Sequence, residues 1–117
     1  MRTSFFFSAA LAVSVVACGG GAPPPSDRLA TAEAGARSAR ELGADKQPKA
    51  QLHLKLADEQ IAEAKKLMAD GENKRADLVL QRAGADAELS VTMAKQNNAR
   101  AEADKAQERL SNLKAGK

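Results

Sequence analysis

The stretch LKLADEQIAEAKKLMADGE, residues 54–72, decides the fold of this chain. Its apolar residues recur at alternating spacings of three and four, which places them on one face of a helix. Asp70-Gly71 then ends that helix, because glycine readily adopts the left-handed conformation that follows a helix C-terminus. The stretch therefore predicts an amphipathic helix followed by a tight turn. The residues of its apolar face are Leu54, Ala57, Ile61, Ala64 and Met68.

Another helix is predicted on the N-terminal side of this stretch. It starts at Ser26 or Asp27, since either residue can cap a helix N-terminus, and it stops at Gly43. The helix that contains the deciding stretch then begins between Asp45 and Pro48, because proline is tolerated in a first turn. The apolar face of the upstream helix consists of Leu29, Ala32, Ala36 and Ala39.

A third helix is predicted from Glu72 or Asn73 to about Leu113. Its first half repeats the three-and-four spacing, and its second half repeats that spacing in a shifted phase. We expect a stutter between the halves, at Asn97-Asn98, and we expect Gly84 to allow the close approach of a neighbouring helix. The first stripe is Ala76, Leu80, Ala83, Ala87, Ser90 and Ala94, and the second is Ala99, Ala103, Ala106, Leu110 and Leu113.

The composition supports a helical fold with a thin core. More than half of the residues after position 17 are Ala, Glu, Lys, Leu or Arg, a usage typical of long helices. The aromatic residues, Phe5, Phe6 and Phe7, all precede that position, so few bulky side chains remain to be buried. We predict an all-α fold, either an antiparallel helical hairpin or a three-helix arrangement with a long C-terminal helix. Ile61 and Leu80 are expected to be buried.

The first 21 residues have the pattern of a secretory signal peptide. Arg2 precedes an apolar run, Phe5–Val16, that is too short to span a bilayer. The following Val15-Val16-Ala17-Cys18 resembles the lipobox of bacterial lipoproteins, and this resemblance implies a lipid on Cys18 as the first mature residue. We therefore divide the chain into a signal peptide (1–17), a lipidated cysteine with a Gly/Pro tether (18–26) and a helical domain (27–115). The residue after Cys18 is Gly19 and not an aspartate, which resembles the pattern of outer-membrane sorting in enteric bacteria.

The charges and reactive side chains exclude several function classes. The formal net charge is +3, but cations and anions alternate along the chain, so the sequence has no basic patch for nucleic acid. His53 has no second histidine or free thiol as a metal-ligating partner, and we expect it on a helix surface. The neighbouring Asp58, Glu59 and Glu63 are interpreted as a solvated helix face. We expect no enzyme activity, catalytic residue, metal or cofactor.

Three segments carry a resemblance to a bacterial family. They are Ala39–Ala44, the turn Leu67–Glu72 with Arg75-Ala76, and Gln81–Ser90. Together they resemble the family called domain of unknown function 4398, over roughly residues 26–95. The resemblance implies a short, alanine-rich, helical envelope protein, often a lipoprotein. It implies no catalytic residues.

These features lead us to expect an outer-membrane lipoprotein that faces the periplasm. Its helical domain is expected to be a structural or adaptor module that acts through helix–helix contacts with an envelope protein or a second copy. One alternative is an envelope tether that contacts peptidoglycan, since Lys117 is similar to the C-terminal lysine that joins the Braun-type lipoprotein to the cell wall. Another is an accessory subunit of an envelope enzyme or transporter.

The short loops predict where a partner would bind. Antiparallel helices place the Gly71 turn at the same end as Ser26, and the third helix then outruns the second. The distal stripe from Ala99 to Leu113 is left without a partner in its own chain. We expect residues 97–113 to carry partner binding or self-association; the alternative is that so alanine-rich an end simply frays.

Overall fold

The computed structural model describes residues 21–116 and shows three helices. Helix α1 spans Ser26–Glu41, α2 spans Pro48–Ala69 and α3 spans Asn73–Lys114. A short 3-10 turn, Ala44–Lys46, joins α1 to α2. The described residues contain no strand, and α3, with 42 residues, is the longest element. The expected all-α fold with a long C-terminal helix is confirmed in its three-helix form. The predicted leader, Cys18 and Lys117 lie outside the described residues.

The core is a three-way contact lined mostly by alanine. Helix α3 packs against both α1 and α2, and α1 also touches α2. Ile61 and Leu80 are buried, at 7% and 2% exposure, as predicted. The predicted face of α2 needs one correction, because Leu67 is buried while Met68 lies at the edge of the core. The other buried alanines and leucines include Ala32, Ala36, Ala39, Leu54, Ala57, Ala64, Ala76 and Ala83.

The turns follow the glycines that the sequence marks. Gly43 and Gly71 have φ values of 80° and 77°, in the left-handed region. After α2, the Glu72 N–H donates to the Leu67 carbonyl at 2.8 Å and the Gly71 N–H donates to the Met68 carbonyl at 3.1 Å. This pair of bonds is the Schellman arrangement, which satisfies carbonyls at the end of a helix. Pro48 occupies the first turn of α2, as expected.

Helix α3 is continuous through the asparagines, where the shift in the phase of the stripe is predicted, and its buried residues end just before them, at Ala94. Both asparagine side chains form hydrogen bonds with the connection between α1 and α2. The Asn98 amide donates to the Leu42 carbonyl at 3.0 Å, and the Asn97 amide donates to Gln47 Oε1 at 2.8 Å. The asparagines therefore lie at the level along α3 where α1 ends and α2 begins.

The segment before α1 packs at one end of the bundle, beside the start of α3. The Asn73 amide donates to the Ala22 carbonyl at 2.7 Å, and Arg28 near the start of α1 forms an ion pair with Asp77 near the start of α3. The N-terminal segment thus lies beside the α2–α3 turn, and α3 runs away from it. Among residues 21–116, no helix is both long and apolar enough to cross a membrane.

Candidate functional site

The last part of α3, residues 95–114, extends beyond the bundle. Every residue in it is exposed, whereas Ala94 just before it is fully buried. We call this segment the arm. At 1.5 Å per residue it is about 30 Å long. All five residues of the predicted distal stripe therefore lie on exposed helix, beyond the hydrogen bonds that Asn97 and Asn98 make with the α1–α2 connection.

The large apolar residues of the arm are well exposed. Leu110 is 56% exposed and Leu113 is 73% exposed. With about 100° between successive residues, they lie on the same side of α3 as Ala99, Ala103 and Ala106. This side is about half a turn from the buried residues of α3. We call the buried set the core row; it consists of Ala76, Leu80, Ala83, Ala87, Ser90 and Ala94.

The exposed stripe does not begin in the arm. Continued toward the N-terminus with the same spacing, it includes Leu78 and Leu89, which are 58% and 39% exposed although they lie within the bundle. We call the whole set the outward row. Its first half was not predicted from the sequence; the spacing of three and four does continue upstream of Ala99, but polar residues occupy two of its positions. The outward row consists of Leu78, Ala85, Leu89, Thr92, Ala99, Ala103, Ala106, Leu110 and Leu113, interrupted by Arg82 and Gln96.

His53 is not the surface residue that the sequence suggested. It is half-buried between α2 and α3, where its Nδ1 lies 2.8 Å from Asp86 Oδ1. The Gln60 amide donates to the other oxygen of Asp86 at 2.9 Å. Gln60 follows His53 by seven residues, or two helical turns, and this spacing places both side chains toward one acceptor on α3. The cluster therefore joins α2 to α3 through polar contacts. Among residues 21–116 no group of three or more His, Cys, Asp or Glu is arranged to hold a metal.

Two of the three acidic residues of α2 lie beside cations, and the third, Glu63, is exposed. Asp58 accepts both of its bonds from Arg40 of α1, and Glu59 lies 3.8 Å from Lys55. On α1, Glu33 lies 2.6 Å from Lys65 of α2. The hydrogen bond from Lys65 holds the pKa of Glu33 below its ordinary value. The partly exposed Arg40–Asp58 and Lys65–Glu33 pairs join α1 to α2, the two helices of the bundle that contact each other least.

The glycine at which two helices pack closely is not the one expected. A Cβ placed on Gly84 would meet nothing within 4 Å, whereas one on Gly35 would lie 3.0 Å from the Cβ of Ala87. Gly84 instead lines an open groove of about 670 Å³ between α1 and α3. The close contact therefore belongs to Gly35, which allows α1 to approach α3.

The geometry defines a class: an all-α, three-helix protein whose last helix bears a free arm and an exposed apolar row. The particular family follows from the match of residues 38–116 to the family model described as Domain of unknown function (DUF5667). The chain belongs to this family, and the match includes α2, α3 and the arm. Neither a search of curated proteins nor one of solved structures found a match.

This family corrects the resemblance drawn from the sequence. Residues 26–95 resembled the domain of unknown function 4398 family, but the matching family is a different one. The physical reason is that helices rich in Ala, Glu and Arg share their composition and periodicity whatever their ancestry. The quoted segments are mostly such helix, so they carried little information specific to a family.

Proposed function

We propose that this protein is a bacterial outer-membrane lipoprotein whose periplasmic helical domain is a structural or adaptor module. In this proposal a lipid on Cys18 anchors the chain, and the arm contacts another chain helix against helix. The observation that carries the proposal is the arm itself, a fully exposed continuation of α3 with leucines on one side. Exposed apolar rows of this kind are typical of docking surfaces.

The charges of the arm favour a helical partner. Cations such as Lys95, Arg100 and Arg109 alternate with anions such as Glu102 and Asp104. A surface for lipid headgroups or nucleic acid would instead gather cations on one side. Mixed charges beside an apolar row are the pattern of helices that pair with other helices.

The direction of the arm suits an anchored adaptor. The described chain enters at the α2–α3 turn, where Ala22 is bonded to Asn73, and α3 leaves from that same end. Its 42 residues span about 63 Å. A chain tethered through residues 18–25 would therefore hold the arm several tens of ångströms from its anchor.

The anchoring is tested by replacing Cys18 with alanine in the full chain. A bacterial host producing the chain should incorporate radiolabelled palmitate and place the protein in the membrane fraction. Cys18→Ala should abolish both, because the acceptor sulfur is gone, while Gly21→Ala in the tether should change neither. Equal labelling and equal membrane recovery for Cys18→Ala would contradict the proposed anchor.

The adaptor role is tested by placing a photo-crosslinking amino acid at position 110 of the full chain in intact cells. Leu52 provides a matched control, since it lies on α2 and is exposed to the same extent, 56%. The proposal expects a defined covalent adduct from position 110 and none from position 52. No adduct from position 110, or equal adducts from both, would overturn the role of the arm.

A further inference from the structure

The outward row has the repeat of a coiled-coil helix over its whole length. From Leu78 to Leu113 it alternates spacings of three and four, the pattern that keeps a seam facing a second helix. Helices α1 and α2 lie against the opposite side of α3, around the core row. A second long helix along the outward row would therefore contact mainly α3, and near Ala85 and Glu88 it would also border the groove between α3 and α1.

The order of large and small residues in this row fits an antiparallel copy of itself. If two α3 helices cross with their two-fold axis beside the Asn97–Asn98 bond, Leu110 lies opposite Ala85 of the second copy, and Leu89 lies opposite Ala106. Leu89 and Leu110 then each meet an alanine, so that these knobs enter spaces of matching size, while Leu113 lies beside the aliphatic stem of Arg82 of the second copy. In a parallel, in-register pair every leucine would instead face its own copy.

The flanking charges select the same arrangement. In the antiparallel register Glu88 lies beside Arg109 of the second copy, and Lys95 lies beside Glu102, which gives four attractive pairs by symmetry. All four residues are exposed, and none of them forms an ion pair among residues 21–116. In a parallel pair Lys95 would face Arg100, and Arg109 would face Lys114. Charges at these flanking positions set the orientation of paired helices.

We infer that two copies of this chain associate through the outward rows of α3, antiparallel, with Asn97 and Asn98 at the centre. Each arm then covers residues 81–100 of the other copy, so each arm has a partner helix. The inference rests on the proposed function, since it names the partner of the arm. It also places the two entry points at opposite ends of the pair, about 70 Å apart, so that two anchored copies would lie along the membrane.

The crosslinking position in the arm tests the partner and its direction. In the full chain in intact cells, the adduct from position 110 should have twice the mass of the chain and contain the peptide around Ala85 of a second copy. A peptide around Leu110 would overturn the antiparallel direction. An adduct with a different protein would overturn the inference while leaving the proposed function standing, and the absence of any adduct would overturn both.

A charge swap tests the register independently. Glu102→Lys places a lysine beside Lys95 of the second copy twice in each pair, so we expect the homotypic adduct to fall about tenfold. Lys95→Glu combined with Glu102→Lys should restore it. Glu108→Lys is the matched control, because Glu108 lies on the opposite side of the arm and should change nothing. All these positions are exposed, so the bundle still folds. An unchanged adduct in Glu102→Lys, or no rescue in the double variant, would overturn the register.

Discussion

Leu80→Ala should destabilise the bundle far more than any change at an exposed leucine. Leu80 is 2% exposed and is the largest fully buried apolar side chain among the described residues. Its surroundings are mostly alanines already packed at the helix interfaces, so they cannot move inward to fill the space. Truncation of a buried leucine costs the lost transfer free energy plus that of the cavity, together about 3 kcal/mol.

That cost is large for so small a core. A domain of this size has a free energy of unfolding of about 5–13 kcal/mol, so the variant would lose a quarter or more of it. Each kcal/mol corresponds to roughly 4–8 °C in a domain of 60–100 residues, which gives an expected fall in Tm of about 12–24 °C. Leu52→Ala is the control, since a leucine that is 56% exposed has less area to lose and alanine is an equally good helix former.

The assay is thermal and urea unfolding of the chain from Gly19 onward, followed by far-ultraviolet circular dichroism. Neither Leu80 nor Leu52 lies on the outward row, so self-association does not affect the comparison. The slope of the urea transition should stay the same in both variants, because the surface exposed on unfolding scarcely changes. If Leu52→Ala lowered Tm as much as Leu80→Ala, the assignment of the core row would be refuted.

The other predictions concern one ion pair of α1 and two glycines, Gly35 and Gly84. The hydrogen bond from Lys65 lowers the pKa of Glu33 in the folded protein, so the pair stabilises the fold above the unfolded pKa of a glutamate and loses this contribution as the pH falls through the folded pKa. In Glu33→Gln the Tm should therefore fall less steeply below about pH 4.5 than in the unchanged protein. An unchanged acid dependence would contradict this. Gly84→Ala should raise the free energy of unfolding by about 0.5–1 kcal/mol, whereas Gly35→Val should lower it, because the added methyl groups meet Ala87 of α3; the same urea experiment measures both, and a destabilised Gly84→Ala would refute the open groove.

The helices could be predicted because their signals are local. Gly43 and Gly71 follow helix ends in left-handed turns, Pro48 opens α2, and the three-and-four spacing identifies the buried side of each helix. These features depend on residues a few positions apart, so the sequence displays them directly. The burial of Leu80 followed from the same spacing.

The polar contacts could not be predicted, because they join residues far apart in the chain. His53 reaches Asp86, and Asn98 reaches the Leu42 carbonyl, 56 residues away. No short-range pattern announces such a pairing, since a polar residue on a helix is compatible with water as well as with a partner. From the sequence the asparagines marked only a change of phase in the apolar stripe, whereas in the structure their side chains bond to the α1–α2 connection.

The two rows of α3 end at different places, and that difference supports the proposal that the arm is a docking surface. The core row ends at Ala94, and beyond it the same side of the helix becomes polar, with Asn97 and Asn98 first. A passive extension would need only polar sides, because ordering each residue of a lone helix costs about 1–2 kcal/mol in entropy and short isolated helices are marginal in water. The outward row instead continues in phase to Leu113, and its leucines remain exposed. Burying that row against a second helix would offset the cost of ordering the arm, so partner and arm should gain their stability together.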